Sequence, residues 1–328
     1  MTYSSGGLIQ ATDYNGFVST TSGANINATW NTTYGQTALS TVSTGGTVTA
    51  TQWASLVNTI AAMGAHSNTV ITSRTAPVTG NTITALTNVG LDIGNCYTNR
   101  FSAASVGSQF TSWTGTASKT ASTGSGASPW TITFTDTITF ANTTAASNFF
   151  GAGGYLQVQF GKSSTGTVGD TEWNAFIGAA GAGGRVAAKV ILTSDSSSKT
   201  INGVSYNGTY KTGGTGTPST LATGTGYNQL TGTPVTIYKQ FDTGAAYSSN
   251  YVQINASVSG AVVTLTTTWY DAGDSDPGST PVITGGTATA AGTTTFGTAP
   301  TTLVTAYQPE QTNISNVWGS ITISSSVA

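Results

Sequence analysis

The chain has 328 residues and a formal net charge of −2, and only 6% of its residues are charged, against about 25% in an average soluble domain. So little charge, and none of it net positive, excludes the basic field that nucleic-acid binding requires. An aromatic content of 9%, with seven Trp, excludes intrinsic disorder.

Thr supplies roughly a fifth of the chain and Gly 42 positions, a composition that favours β structure with a polar but uncharged surface. The length allows two or three domains. The start, MTYSSGGLIQ, lacks the positive n-region and apolar core of a secretory signal, and no transmembrane span is expected. Cys96 is the single cysteine, so an intrachain disulfide and a Cys-based metal site are both excluded, and the thiol reads as a small buried hydrophobe.

Residues 1–115 read as a small, mainly helical module. Thr12-Asp13 caps a short helix carrying Tyr14, Phe17 and Val18, and Asn25 to Trp30 continues it after Gly23. Val42 to Val48 turns at Gly45-Gly46. The clearest helix is Thr51 to Ala65, where Trp53, Leu56, Val57, Ile60 and Met63 share one apolar face. Trp53, Leu56, Val57 and Ile60 are the expected attachment and assembly face. A second helix is expected from about Asn81 to Phe101, separated from the first by Pro77 and Gly80.

The low-complexity stretch TGTASKTASTGSGAS from Thr114 to Ser128 marks the domain boundary, giving a Thr/Ser/Gly-rich linker over 116–128. Residues 129–328 then read as an antiparallel β domain. In WTITFTDTITF, Trp130, Ile132, Phe134, Ile138 and Phe140 alternate with threonines, so one strand face is buried and the other hydroxyl-coated. Asp136 stands among the apolar positions and marks a bend or a sheet edge. Asn142 to Phe150 reads as a short helix, Gly151-Ala152-Gly153-Gly154 as its stop, and Tyr155 to Phe160 as the next strand.

Further on, Asp170 caps a helix bearing Trp173, Phe176 and Ile177. Strands follow at Val186–Leu192 and Val235–Phe241, with turn signals at Asn202-Gly203 and Asn207-Gly208. Tyr251 to Tyr270 reads as a hairpin turning at Ser259-Gly260; Leu303–Tyr307 and Asn316–Ile323 close the domain. Many short strands with frequent turns argue a sandwich, jelly-roll-like, and the whole chain an α+β protein. The Thr-Gly stretches at 212–233 and 284–300 are long loops or segments ordered against a neighbouring chain.

Reactive chemistry is scarce. His66, the only histidine, follows a helix and reads as structural or exposed. Zinc needs several His or Cys ligands, and the chain has one of each. Gly161-Lys162-Ser163 lacks the first glycine of a phosphate loop, position 156 being Leu. Asp170 and Glu172 fall at a helix start, where acids cap and complement the dipole, so a paired-carboxylate hydrolase is disfavoured. Asp271, Asp274 and Asp276 form the densest acidic cluster, a polar turn by default and a candidate calcium site. Tyr206, Tyr210, Tyr227, Tyr247 and Tyr270 lie in or beside loops and read as core or interface, with sugar stacking as the alternative. No catalytic residue and no cofactor are expected.

Two stretches resemble a known family. Phe149-Phe150-Gly151-Ala152-Gly153-Gly154 followed by Tyr155-Leu156-Gln157-Val158-Gln159-Phe160-Gly161 is similar to the "FFNAGG, alternating strand" signature of tailed-phage virion structural proteins, found in large contractile-tailed marine and cyanobacterial phages. The helix Asp170-Thr171-Glu172-Trp173-Asn174 fits the same pattern, and Gly151 stands where the family often has Asn, a change expected to leave the turn intact. Tyr34-Gly35-Gln36-Thr37, Val48-Thr49-Ala50, Gln52-Trp53, Leu56 and His66 resemble an N-terminal module of the same proteins.

The resemblance, spanning about residues 8 to 180, implies a non-enzymatic virion component, a tail or neck fibre or appendage protein assembled in the host cytoplasm. It implies attachment through the N-terminal module to other virion proteins. A symmetric homo-oligomer, most simply a trimer, is expected. The alternatives are a receptor-binding adhesin for host surface glycans and a capsid decoration protein.

Overall fold

The computed structural model describes residues 10–19, 24–80, 88–102, 109–116, 130–161, 168–177, 189–195, 198–201, 204–207, 209–212, 225–243, 248–272 and 301–327. Its N-terminal part is four helices: α1 (Ala11–Val18), α2 (Ile26–Trp30), α3 (Ala50–His66) and α4 (Val89–Thr98). The Thr49 side chain accepts from Gln52 N, and the Gln52 side chain accepts from Thr49 N, so α3 starts on a reciprocal capping box. Tyr14 and Phe17 of α1 press their rings on Trp53 at 6.3 and 6.2 Å. Leu56, Val57, Ile60 and Met63 of α3 and Val89, Ile93 and Cys96 of α4 complete this buried cluster.

Helix α4 is shorter than the sequence suggests. It begins at Val89 after Asn88, whose φ of 65° is left-handed, and ends at Thr98. The part of the expected helix at 81–87 lies outside the described residues.

The remainder is β1 (Gln109–Thr116), β2 (Trp130–Thr139), α5 (Thr143–Gly151), β3 (Tyr155–Gly161), α6 (Val168–Ile177), β4 (Lys189–Leu192), β5 (Ser198–Ile201), β6 (Val204–Asn207), β7 (Thr209–Thr212), β8 (Val235–Phe241), β9 (Tyr251–Ser259), β10 (Val262–Asp271), β11 (Thr301–Tyr307) and β12 (Thr322–Val327). They form two five-stranded sheets, ordered β1-β11-β3-β4-β7 and β12-β2-β10-β9-β8, and the pair β5-β6. Every pairing is antiparallel.

Phe160 of β3 stacks on Tyr238 of β8 at 6.4 Å, so the two large sheets face each other across one core. The α+β reading holds: a helical module followed by antiparallel sheets. The first strand, β1, lies within the stretch that the sequence leaves to the helical module and linker, yet it pairs with β11.

The period-two pattern sets the faces. Ile132, Phe134, Asp136 and Ile138 of β2 turn inward beside Val263, Leu265, Thr267 and Trp269 of β10. Outward lie rows of hydroxyls and an amide in register: Ser324, Thr137, Thr264, Ser257, then Ser326, Thr135, Thr266, Asn255. Asp136 marks neither a bend nor an edge. It is fully buried in the middle of β2, which β12 and β10 flank on both sides. In the last stretch only Thr322–Val327 is strand; 316–321 is irregular, and its start is tied to the helical module by the Ser315–Gln36 hydrogen bonds and by Val317 beside Gly35.

Gly153 has φ of 90°, the left-handed conformation glycine adopts without strain. Gly151 matters for a different reason. A Cβ there would lie 2.3 Å from the carbonyl oxygen of Thr33, so any side chain at this position would require that backbone to move.

Candidate functional site

The polar centre of the described chain is the junction between the helical module and the sandwich. α3 delivers His66 at its C-terminal end, α5 delivers the carbonyl of Ala152 just past its own end, and the segment after β11 delivers Glu310. His66 Nδ1 lies 2.7 Å from Glu310 Oε1, and Nε2 lies 3.0 Å from Ala152 O. Both ring nitrogens face acceptors, one a carboxylate oxygen and the other a backbone carbonyl. The Tyr34 ring meets the imidazole edge-on at 4.7 Å, and its hydroxyl donates to Arg100 O at 3.0 Å.

Glu310 is surrounded by donors. Besides His66, Asn313 Nδ2 donates to Oε1 at 3.1 Å, and the N–H groups of Thr312 and Asn313 donate to Oε2 at 2.6 and 3.0 Å. Burial alone would raise its pKa; the bonds from His66, Asn313 and Thr312 outweigh that and bring it down to about 2. Beside it, Gln36 bridges the two parts twice: its amide donates to Ser315 O at 2.9 Å and accepts from Ser315 N at 3.0 Å.

A second feature lies on the helical module. Residues 36, 39 and 42 are clamped to the helices by both backbone groups. Gln36 N donates to Trp30 O at 2.9 Å, and Gln36 O accepts from Asn31 at 2.7 Å. Asn27 takes Leu39 N and gives to Leu39 O, both at 2.9 Å. Asn15 does the same for Val42, at 2.8 and 2.7 Å. The residues between them, Thr37, Ala38, Ser40 and Thr41, are exposed. Between this rail and α3 is an open groove of about 390 Å³, with Tyr14, Trp30 and Leu39 in its wall and Thr51, Gln52 and Ser55 on its α3 side.

The residues singled out from sequence are distributed as follows. Trp53, Leu56, Val57 and Ile60 are buried in the module's own core, so in the single chain they are not a free surface. Asp271 is buried at the end of β10, where its Oδ2 accepts from Trp173 Nε1 at 3.0 Å and Asn250 Nδ2 at 3.3 Å. Asp274 and Asp276 lie outside the described residues, among which no group of three His, Cys, Asp or Glu side chains comes together.

Asp170 and Glu172 stand in the first half of α6. Lys162, Tyr247 and the side chains of Tyr206 and Tyr210 are not among those described. Tyr227 is buried and stacks on Phe150 at 4.3 Å, while Tyr270 is half-buried on the outer face of its sheet, 4.8 Å from Tyr251. Phe241, at 5.5 Å, and the Lys239 ammonium, 3.8 Å from the Tyr251 ring centre, extend that outer row. Cys96 is buried, and burial pushes its thiol up to about 11, away from reactivity.

Glu310 carried a signal that pattern reading passes over. With only two Glu and one His in the chain, each charge is expensive to bury unless it is matched. Both ion pairs among the described residues, His66–Glu310 and Arg74–Asp92, are buried. The chain matches no protein-family model, no curated protein and no solved structure. Among the described residues no helix is long and apolar enough to cross a membrane.

Proposed function

We propose that this chain is a non-enzymatic structural component of a phage virion, a tail or neck appendage protein that oligomerises and is attached through its helical module. The observation that carries this reading is the outer face of the second sheet. There Ser, Thr and Asn side chains from four adjacent strands stand in register, and the aligned rows contain no charge. Such a face makes contacts that depend little on ionic strength, and its aligned rows hold no pair of opposed acids. The likeness of Phe149–Gly161 to the virion signature supports the same reading.

The test is placement. In a reconstructed particle the chain is expected as a symmetric ring or trimer, with residues 1–115 against a different virion protein. A purified chain that sediments as a monomer, with no particle that contains it, ends the reading.

One observation favours a second reading, a host-glycan adhesin. The half-buried row Phe241, Tyr251 and Tyr270, with Lys239 and Gln253 beside it, combines aromatic faces with polar donors. Binding on a glycan array that is lost in Tyr270→Ala separates this reading from a purely structural one.

A further inference from the structure

We propose that the groove beside residues 37–41 receives an extended, uncharged peptide segment of a neighbouring chain, hydrogen-bonded to the open backbone groups of that rail and resting an apolar side chain on Trp30. The inference rests on the attachment reading above and names where on the helical module attachment takes place.

The rail is preformed. Three residues spaced by three, Gln36, Leu39 and Val42, have both backbone groups tied down on the helix side. A three-residue repeat belongs to a polyproline-II-like chain, whose backbone is otherwise open to partners. Thr37, Ala38, Ser40 and Thr41 are exposed, and their N–H and C=O groups have no partner among the described residues. Holding these groups in place in advance lowers the ordering cost of pairing with another chain.

The groove supplies side-chain selectivity. Among the tryptophans whose side chains are described, Trp53, Trp173, Trp269 and Trp318 are buried, and Trp30 alone is half-buried. Trp30 lines the groove together with Leu39, and the volume of about 390 Å³ accommodates one or two side chains. Among the described residues no Asp, Glu, Lys or Arg lines it. A charged partner would lose hydration there without gaining a counter-charge, so the complementary segment is uncharged. A row of open amides and carbonyls selects a peptide backbone over a sugar, which has no regular amide repeat to pair with it.

The probe is a library of acetylated, amidated nonapeptides built from Thr, Ser, Gly, Ala, Val, Leu and Phe, titrated into the full chain. Expected are library members that protect the amides of 37–41 from hydrogen exchange and shift the Trp30 indole resonance. Trp30→Ala should weaken them at least tenfold. Ser40→Pro, which removes a donor that has no partner among the described residues, should weaken them with little change in melting temperature. A backbone N-methylated copy of the best peptide serves as a second control independent of folding, and it should not bind.

Absence of any binder up to millimolar concentration overturns the proposal. So does equal binding by the N-methylated copy, or a Trp30 shift produced by neutral oligosaccharides and not by peptides. If the particle places residues 1–115 against a neighbour through another face, the attachment reading survives and the groove assignment falls.

Discussion

Two buried carboxyls, one at the module junction and one inside the sandwich, meet opposite fates. Glu310 collects donors from His66, Thr312 and Asn313, and its pKa falls to about 2. Asp136 is fully buried, yet among the described residues only the Ser325 hydroxyl reaches it, at 2.6 Å to Oδ1, and Oδ2 has no partner. Burial raises its pKa and the Ser325 bond offsets only part of the rise, leaving it at about 6. Thr267 Oγ1 and Trp269 Nε1, on the neighbouring strand, are likewise unpartnered.

The cause is backbone availability. In a sheet the N–H groups are spent on the ladder, so an inward polar side chain finds only other side chains. Where irregular segments meet, free backbone donors remain, and Thr312 and Asn313 supply theirs to Glu310. The sandwich interior therefore relies on apolar contact, and the junction on matched polar groups.

The largest expected effect comes from breaking the junction. His66→Ala takes one donor from the buried Glu310, leaves the Ala152 carbonyl without its ring partner and empties a buried site, and should cost about 3 kcal/mol. The check is a shift in denaturant midpoint, read alongside protection of the 308–321 amides. If the loss equals that of an ordinary surface substitution, the junction is not held by this pair.

Next is the pH dependence, where the two carboxyls have opposite signs. Glu310 binds its proton less readily folded than unfolded. Its contribution is present above its ordinary value of 4.5 and is lost as pH falls towards 2. Asp136 binds its proton more readily folded. It costs nothing below its ordinary value of 3.8, and stability declines as pH rises from there to about 6, remaining lower above that.

Each limb is on the order of 2 kcal/mol. Stability should therefore peak where the two windows overlap, between pH 3.8 and 4.5. Glu310→Gln should flatten the acid limb, and Asp136→Asn should flatten the other while raising the melting temperature at neutral pH. An Asp136→Asn variant no more stable than the parent at pH 7 would show that the carboxyl finds a partner in solution.

The sandwich was legible in the residues because alternation states both period and face. Ile132, Phe134 and Ile138 turn inward as their spacing requires, and α3 appears within a residue of its expected ends. Asp136 was misplaced because the same pattern says which face a residue takes and not how many strands flank it. The end of the chain was misread for a related reason. Ile314, Trp318 and Ile321 are buried, but they stand on irregular backbone, where hydrophobicity has no period to follow. The His66–Glu310 pair spans 244 positions, and no local signal connects such distant residues.

The smallest contrast asks whether redundancy protects the junction. Asn313→Ala removes one side-chain bond to Glu310, yet the Asn313 and Thr312 N–H groups and His66 remain, so a loss of about 0.5–1 kcal/mol is expected. Ser325→Ala removes the one bond that Asp136 has among the described residues and leaves the carboxyl wholly unsatisfied, for about 1–2 kcal/mol at neutral pH. It should also carry the midpoint of the descending limb above pH 6, because nothing then favours the ionised form. The ordering is the decisive measurement. Losing one of several donors must cost less than losing the last one, and if Asn313→Ala is the more damaging of the two, backbone donors at the junction do not carry the share assigned to them.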